Sequence, residues 1–205
     1  RIANADITLI CEAPRVGLYR SYSPVMDEGW TRWVFDTWAV PYVTVVDSVV
    51  RRGRLKERFD VMVLPDQSPR GIVEGLATRY PPPYPGGVGS EGVQALRQFV
   101  VDGGTLVAFN DASRFAIQSL LLPVRNVLEG VADDDFFAPG SLFRIDLDAA
   151  HPLARGMPPQ TAAWFESGPA FDVLDSATVR VVARYPADPA DVPLPGWVLR
   201  PERVA

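Results

Sequence analysis

Residues 105–122, TLVAFNDASRFAIQSLLL, decide the fold. A five-residue apolar strand, TLVAF, runs out of Gly103-Gly104 and stops at Asn110-Asp111, and a helix follows at once. A strand that turns directly into a helix is the junction at which open α/β sheets expose a reactive side chain. Here the junction reads Asn110, Asp111, Ala112, Ser113, with no thiol and no GxSxG turn. The fold signal is strong and the chemistry that goes with it is missing.

Working outward, RVGLYR (15–20) alternates and reads as a first strand, followed by the loop SYSPVMDEG. Residues 29–38 set Trp30, Trp33, Val34 and Trp38 at helical spacing, a face expected to bury three indoles. Pro41 ends that helix, YVTVVD (42–47) is a second strand, and RRGRLKERF is a polar connector. The near-continuous apolar run in DVMVLPDQ (60–67) suits a strand covered on both faces. A short helix is expected around Ile72–Thr78, then a Pro/Gly loop over 80–89. Ser90 is the expected N-cap of a helix facing inward with Val93, Leu96 and Val100, which Gly103-Gly104 terminates.

The order β-α-β-β-α-β-α predicts an α/β protein: a flavodoxin-like doubly wound parallel sheet, strand order 2-1-3-4. The second half is less regular. SLFRIDLD (141–148), TVRVVARYP (178–186) and short pieces of TAAWFESGPAFDV and GWVLR have β character, separated by the turn-rich HPLARGMPPQ. We read one domain over 1–205, with a core over about 15–130 and a β-rich C-terminal extension over about 140–200. The chain starts at Arg1 without a methionine and closes on no regular element, so it is expected to be part of a longer polypeptide.

Composition narrows the function. Net charge is −5 and no Lys/Arg run exceeds a pair, so the basic face that nucleic acid requires is not expected. No apolar run approaches the roughly 20 residues of a bilayer span. With one cysteine, Cys11, and one histidine, His151, neither an intrachain disulfide nor a zinc site is expected. Cys11 precedes the first strand, away from the carboxyl ends where open sheets build their sites. Asp133-Asp134-Asp135 lacks EF-hand spacing and reads as a solvated loop. A hydrolase using Ser113 with His151 is an alternative, set against Ser113 as a first-turn hydroxyl and His151 as a His-Pro turn. The loop YPPPY (80–84) is either a docking element or a plain loop.

One constellation remains. The predicted topology gathers Arg20, Ser21, Asp66, Gln67, Asn110 and Asp111 at the carboxyl ends of strands one, three and four, with Asp27, Glu28 and Ser113 nearby. One reading is a crevice for a small polar ligand, a peptide terminus or a sugar, held by Arg20 and the amides. The other is mutual satisfaction, with Asp66 and Asp111 capping helices and Arg20 paired to Glu28 or Asp66.

Four stretches carry a family resemblance: MDEGWTRWVFD (26–36), YVTVVDSVVRRGRLKERFDVMVLPDQ (42–67), VDGGTLVAFNDASRFAIQSLLLPVRNVL (101–128) and HPLARGMP (151–158). Together they resemble the class I glutamine amidotransferase-like module that follows the catalytic domain of large bacterial zinc carboxypeptidases of the carboxypeptidase A type. The likeness runs from about Arg15 to about Leu199. It implies a non-catalytic accessory domain, secreted or periplasmic, whose partner is an upstream peptidase domain of the same polypeptide. It implies no cofactor in this chain, zinc belonging to that upstream domain. It also implies that position 111 carries a carboxylate where relatives mount sulfur.

Overall fold

The computed structural model describes residues 13–205, so Cys11 lies outside the described residues. These residues fall into two compact units, one ending at Ala112 and the other beginning at Ser113.

The first unit is built on four parallel strands, β1 (Val16–Arg20), β2 (Val43–Val46), β3 (Val61–Leu64) and β4 (Thr105–Ala108), in the order β2-β1-β3-β4. Fold class and strand order are as the sequence predicted. Four helices of this unit connect them: α1 (Met26–Thr37), α2 (Asp47–Arg51), α3 (Pro69–Val73) and α4 (Gly89–Val101). Because side chains alternate along a strand, Val16 and Leu18 face one side, where they cluster with Val63 and half-buried Phe35 of α1. Gly17 faces the other, where a Cβ would come within 2.6 Å of the Met62 sulfur and 2.9 Å of Val45. That second side carries the buried Tyr19, Met62 and Leu64.

Several local expectations change. The second strand stops at Val46, and Asp47, read as its last residue, instead opens α2. The supposed polar connector contributes Leu55 and Phe59 to the core. The short helix lies at Pro69–Val73 because Ser68 caps it, accepting from the Gly71 N–H at 3.1 Å, with Pro69 preset at the first position. Ser90 is no cap: α4 starts at Gly89 after Val88 with no side-chain cap, and it buries Gly92, Leu96 and Phe99, with Val93 and Val100 half-buried.

The largest correction concerns α1. Trp30, Trp33 and Trp38 are exposed rather than buried. The face turned inward is Glu28, Arg32 and Phe35, spaced i, i+4, i+7, and the indoles lie on the opposite arc. Glu28 and Arg32 pair with each other, and Arg32 reaches the Thr44 and Tyr42 hydroxyls at 3.3 Å each.

The first unit ends on the first residue of α5 (Ala112–Leu120); in the second unit, which takes the rest of that helix, β5 (Val124–Asn126) pairs antiparallel with β8 (Phe171–Val173). A three-stranded antiparallel sheet has β6 (Pro139–Leu147) between β7 (Gln160–Glu166) and β9 (Ala183–Arg184). Its core stacks Phe143 on Phe165 at 4.6 Å, with Phe136, Ala138 and Val192. The expected strand over 178–186 shrinks to Ala183–Arg184. Its start is drawn into a turn by Asp175, which accepts from the Ala177 N–H and the Thr178 hydroxyl at 2.9 Å each. GWVLR forms no named strand; its backbone bonds Phe137 through Leu199, and the Trp197 N–H and C=O both bond the Ser141 hydroxyl. Among the described residues no helix is long and apolar enough to cross a membrane.

Candidate functional site

In a sheet ordered 2-1-3-4 the chain reverses its direction of travel between β1 and β3, and the carboxyl ends there form the crevice in which such folds place ligands. Here a side-chain hydrogen bond crosses from each strand's exit to the next. Between β1 and β3, buried Gln67 donates through Nε2 to the Ser21 hydroxyl at 3.0 Å, and the Ser21 hydroxyl in turn donates a hydrogen bond to the Ser23 carbonyl. Between β2 and β1, the fully buried Asp47 takes the Tyr19 hydroxyl at 2.6 Å and the Tyr22 N–H at 3.0 Å. Burial, reinforced by the Asp47 charge, holds the Tyr19 phenol protonated far above its ordinary range. Between β3 and β4, the Asp66 carboxylate accepts Asn110 Nδ2–H at 2.6 Å and the Asp111 N–H at 3.0 Å.

The β4–α5 junction is a true elbow. Pairing with β3 continues one residue past β4, with the Phe109 N–H on the Leu64 carbonyl at 3.0 Å, and the chain then reverses through Asn110 at φ +42°. The left-handed residue is therefore Asn110, one position before the Asp111 that the sequence reading placed at the turn. Asparagine is among the few side chains that tolerate this conformation. On an elbow of this kind the N–H following the turn residue is the natural donor to an oxyanion. In this chain that donor is the Asp111 N–H, and it points at a carboxylate.

The remaining site residues are placed as follows. Arg20 ends β1 with its side chain exposed and bonded to no other side chain among the described residues; Glu28, its expected partner, is taken by Arg32. Asp66 does not cap α3, Ser68 having that position. Asp27 is exposed in the first turn of α1. Ser113, half-buried, is the second residue of α5 and belongs to the second unit. In that unit His151 caps a short 3-10 turn, its Nδ1 accepting the Leu153 N–H at 3.2 Å. Among the described residues no group of three or more His, Cys, Asp or Glu is arranged to hold a metal ion. Sequence reasoning missed Tyr19, Tyr22 and Asp47; the available signal was an aspartate directly after a β-branched run, in TVVDS.

No model of a known protein family matches the sequence, and no curated protein matches it. Solved structures do. A candidate GMP synthase subunit from Thermoplasma acidophilum aligns with 85% of this chain and 75% of its own, at 8% identity and a TM-score of 0.52. A cytoplasmic protein from Salmonella typhimurium aligns with 82% of this chain and 78% of its own, at 14% identity and a TM-score of 0.51. The fold is class I glutamine amidotransferase-like. A weaker match, to a glutamine amidotransferase from Thermotoga maritima, has a TM-score of 0.48 at 12% identity, over 80% of this chain and 64% of that one. At such identities the likeness of this amidotransferase-like chain to its neighbours is one of fold alone.

Proposed function

We propose that this chain is a non-catalytic amidotransferase-like module, accessory to an exported zinc carboxypeptidase, acting in domain packing or substrate presentation. The observation that carries the non-catalytic reading is Asp66. Its carboxylate bonds both the side chain at the elbow, Asn110, and the Asp111 N–H. An acyl-transfer elbow needs a nucleophile at the first position and a donor ready for negative charge at the second. Asn110 is no nucleophile, and an anionic oxygen brought to the Asp111 N–H would meet the Asp66 charge. The carboxypeptidase context is supported by the sequence stretches MDEGWTRW and GGTLVAFNDAS alone.

A second reading, a module that captures a small polar ligand, is favoured by Arg20, an exposed cation at the exit of the central strand with no side-chain partner among the described residues. A thermal-shift screen against amino acids, short peptides and sugars, repeated on Arg20→Ala, separates the two. Stabilisation lost in the variant supports capture.

For the preferred reading, the chain is assayed for glutaminase, esterase and peptidase turnover. None is expected, and turnover that vanishes in Asp111→Ala or Ser113→Ala overturns it. The reading frame upstream of the chain tests the context independently, since a frame without a zinc-peptidase domain removes the carboxypeptidase assignment.

A further inference from the structure

Helix α3 follows the exit of β3 and α4 leads back to the start of β4, so the chain between the two helices crosses the carboxyl end of the sheet. There it makes an excursion over residues 77–85 that has a closed neck. The Gly86 N–H bonds the Leu76 carbonyl at 2.7 Å, and Leu76 bridges both Pro85 and Gly86. Backbones cross at this neck too closely for side chains. A Cβ on Gly75 would stand 2.3 Å from the Gly86 carbonyl oxygen, and one on Gly87 would stand 2.1 Å from that of Ile72. The Val88 N–H on the Ile72 carbonyl at 2.8 Å and the Arg51 guanidinium on the Gly87 carbonyl anchor the base. Beyond the neck the bonding turns inward. The Tyr80 N–H bonds the Ala77 carbonyl at 3.2 Å, the Tyr84 N–H bonds the Pro81 carbonyl at 3.1 Å, and the Arg79 guanidinium lies over the Tyr80 ring. Residues 77–84 are all exposed. Among the described residues, no hydrogen bond or ion pair ties 77–83 to a residue outside the excursion.

One ring contact fastens the tip. Tyr84 meets Tyr22 edge-to-face, with centroids 5.2 Å apart. Tyr22 lies across the exits of β1 and β2, its N–H on the buried Asp47 at 3.0 Å and its hydroxyl 3.3 Å from that of Ser48. We propose that residues 77–85 are a strap with Tyr84 as its latch. The strap turns about its neck as one piece and, when open, bares the Tyr22 ring and the Ser48 hydroxyl on the β1–β2 side of the crevice. The fixed neck keeps the base in place, the internal turns travel with the strap, and the latch is the contact that opening breaks. A single edge-to-face pair favours contact by about two- to tenfold. The closed strap therefore predominates while the open one stays populated. This motion does not depend on whether the crevice holds a ligand.

Trypsin cleavage between Arg79 and Tyr80 of the 205-residue chain, followed by mass spectrometry of the two fragments, tests this. A closed loop enters a protease cleft poorly, so the rate of that cut follows the open population. The wild type is expected to be cut there well below the rate of the same bond in a synthetic peptide of residues 74–88. Tyr84→Ala and Tyr22→Ala are each expected to speed the cut about two- to tenfold, the preference that one ring pair supplies, with cleavage at the other arginines unchanged. Tyr84→Phe keeps the ring and is expected to match the wild type. A wild type cut as fast as the peptide has no closed state and overturns the proposal. A bond that resists in every variant, an unchanged rate in both alanine variants, or a Tyr84→Phe variant as fast as Tyr84→Ala overturns it too. So does an acceleration shared equally by every arginine, which would assign the two rings to general stability.

Discussion

The carboxyl ends of the parallel strands and the outer arc of α1 belong to the same unit and follow opposite rules. At the strand exits the polar groups other than exposed Arg20 are matched: Asp47 with Tyr19 and Tyr22, Gln67 with Ser21, Asp66 with Asn110 and Asp111. Along α1 three indoles stand in solvent while a charged pair, Glu28 and Arg32, occupies the buried side. Unpaired buried polar groups are costly, so a crevice of this kind is stable by itself only when its buried donors find partners within the chain. Exposed apolar area carries no such requirement for folding and persists where another surface uses it. The buried polar groups of the first region are therefore satisfied within the chain, whereas the second leaves its apolar face open.

If that contrast is right, stability resides at the strand exits. Asp47→Ala is expected to have the largest effect, lowering unfolding stability by about 3 kcal/mol, because it strands the buried Tyr19 hydroxyl and removes the acceptor of the Tyr22 N–H. Urea denaturation of the purified variant measures this; a loss under about 1 kcal/mol would mean that water replaces the carboxylate and that the exit is wetter than the structure places it. Asp66→Ala comes next, at about 1–2 kcal/mol, since its carboxylate is only half-buried and solvent reaches the Asn110 amide. The same variant sharpens the functional contrast. Removing the anion relieves the Asp111 N–H, yet Asn110 still supplies no nucleophile, so esterase and glutaminase turnover are expected to stay absent.

Much of the sheet was legible from the sequence, and the reasons are local. β-branched runs such as VTVV and VMVL mark strands by composition, and the helical spacing of Val93, Leu96 and Val100 marks α4. The elbow was legible as a strand running straight into a helix, but which residue takes the left-handed turn was not. Asn110 and Asp111 both tolerate it, and only the geometry set by the Phe109–Leu64 bond decides. The pairing at the exits was half legible. Asp66, Gln67 and Asn110 follow their strands visibly, whereas Asp47 was absorbed into the strand before it. The orientation of α1 was not legible, because periodicity locates an apolar face without saying what that face packs against. Hydrophobicity alone turns the indoles inward; the Glu28–Arg32 pair and its bonds to Thr44 and Tyr42 hold the opposite face there, and no spacing rule announces them.

The smallest expected effect is the most telling about α1. Trp38 is the C-cap residue of the helix, 77% exposed, with its N–H bonded to the Val34 carbonyl at 3.0 Å. Trp38→Ser keeps that backbone bond and deletes an indole that touches little of its own unit. In urea denaturation the change in unfolding stability is expected to stay within about 0.5 kcal/mol. A core tryptophan truncated in this way costs about 3–5 kcal/mol, so the measurement separates the two readings of the helix by several-fold. A large loss would return the indole to the interior. A negligible loss would leave the indole outside the core, as the exposed arc of α1 requires.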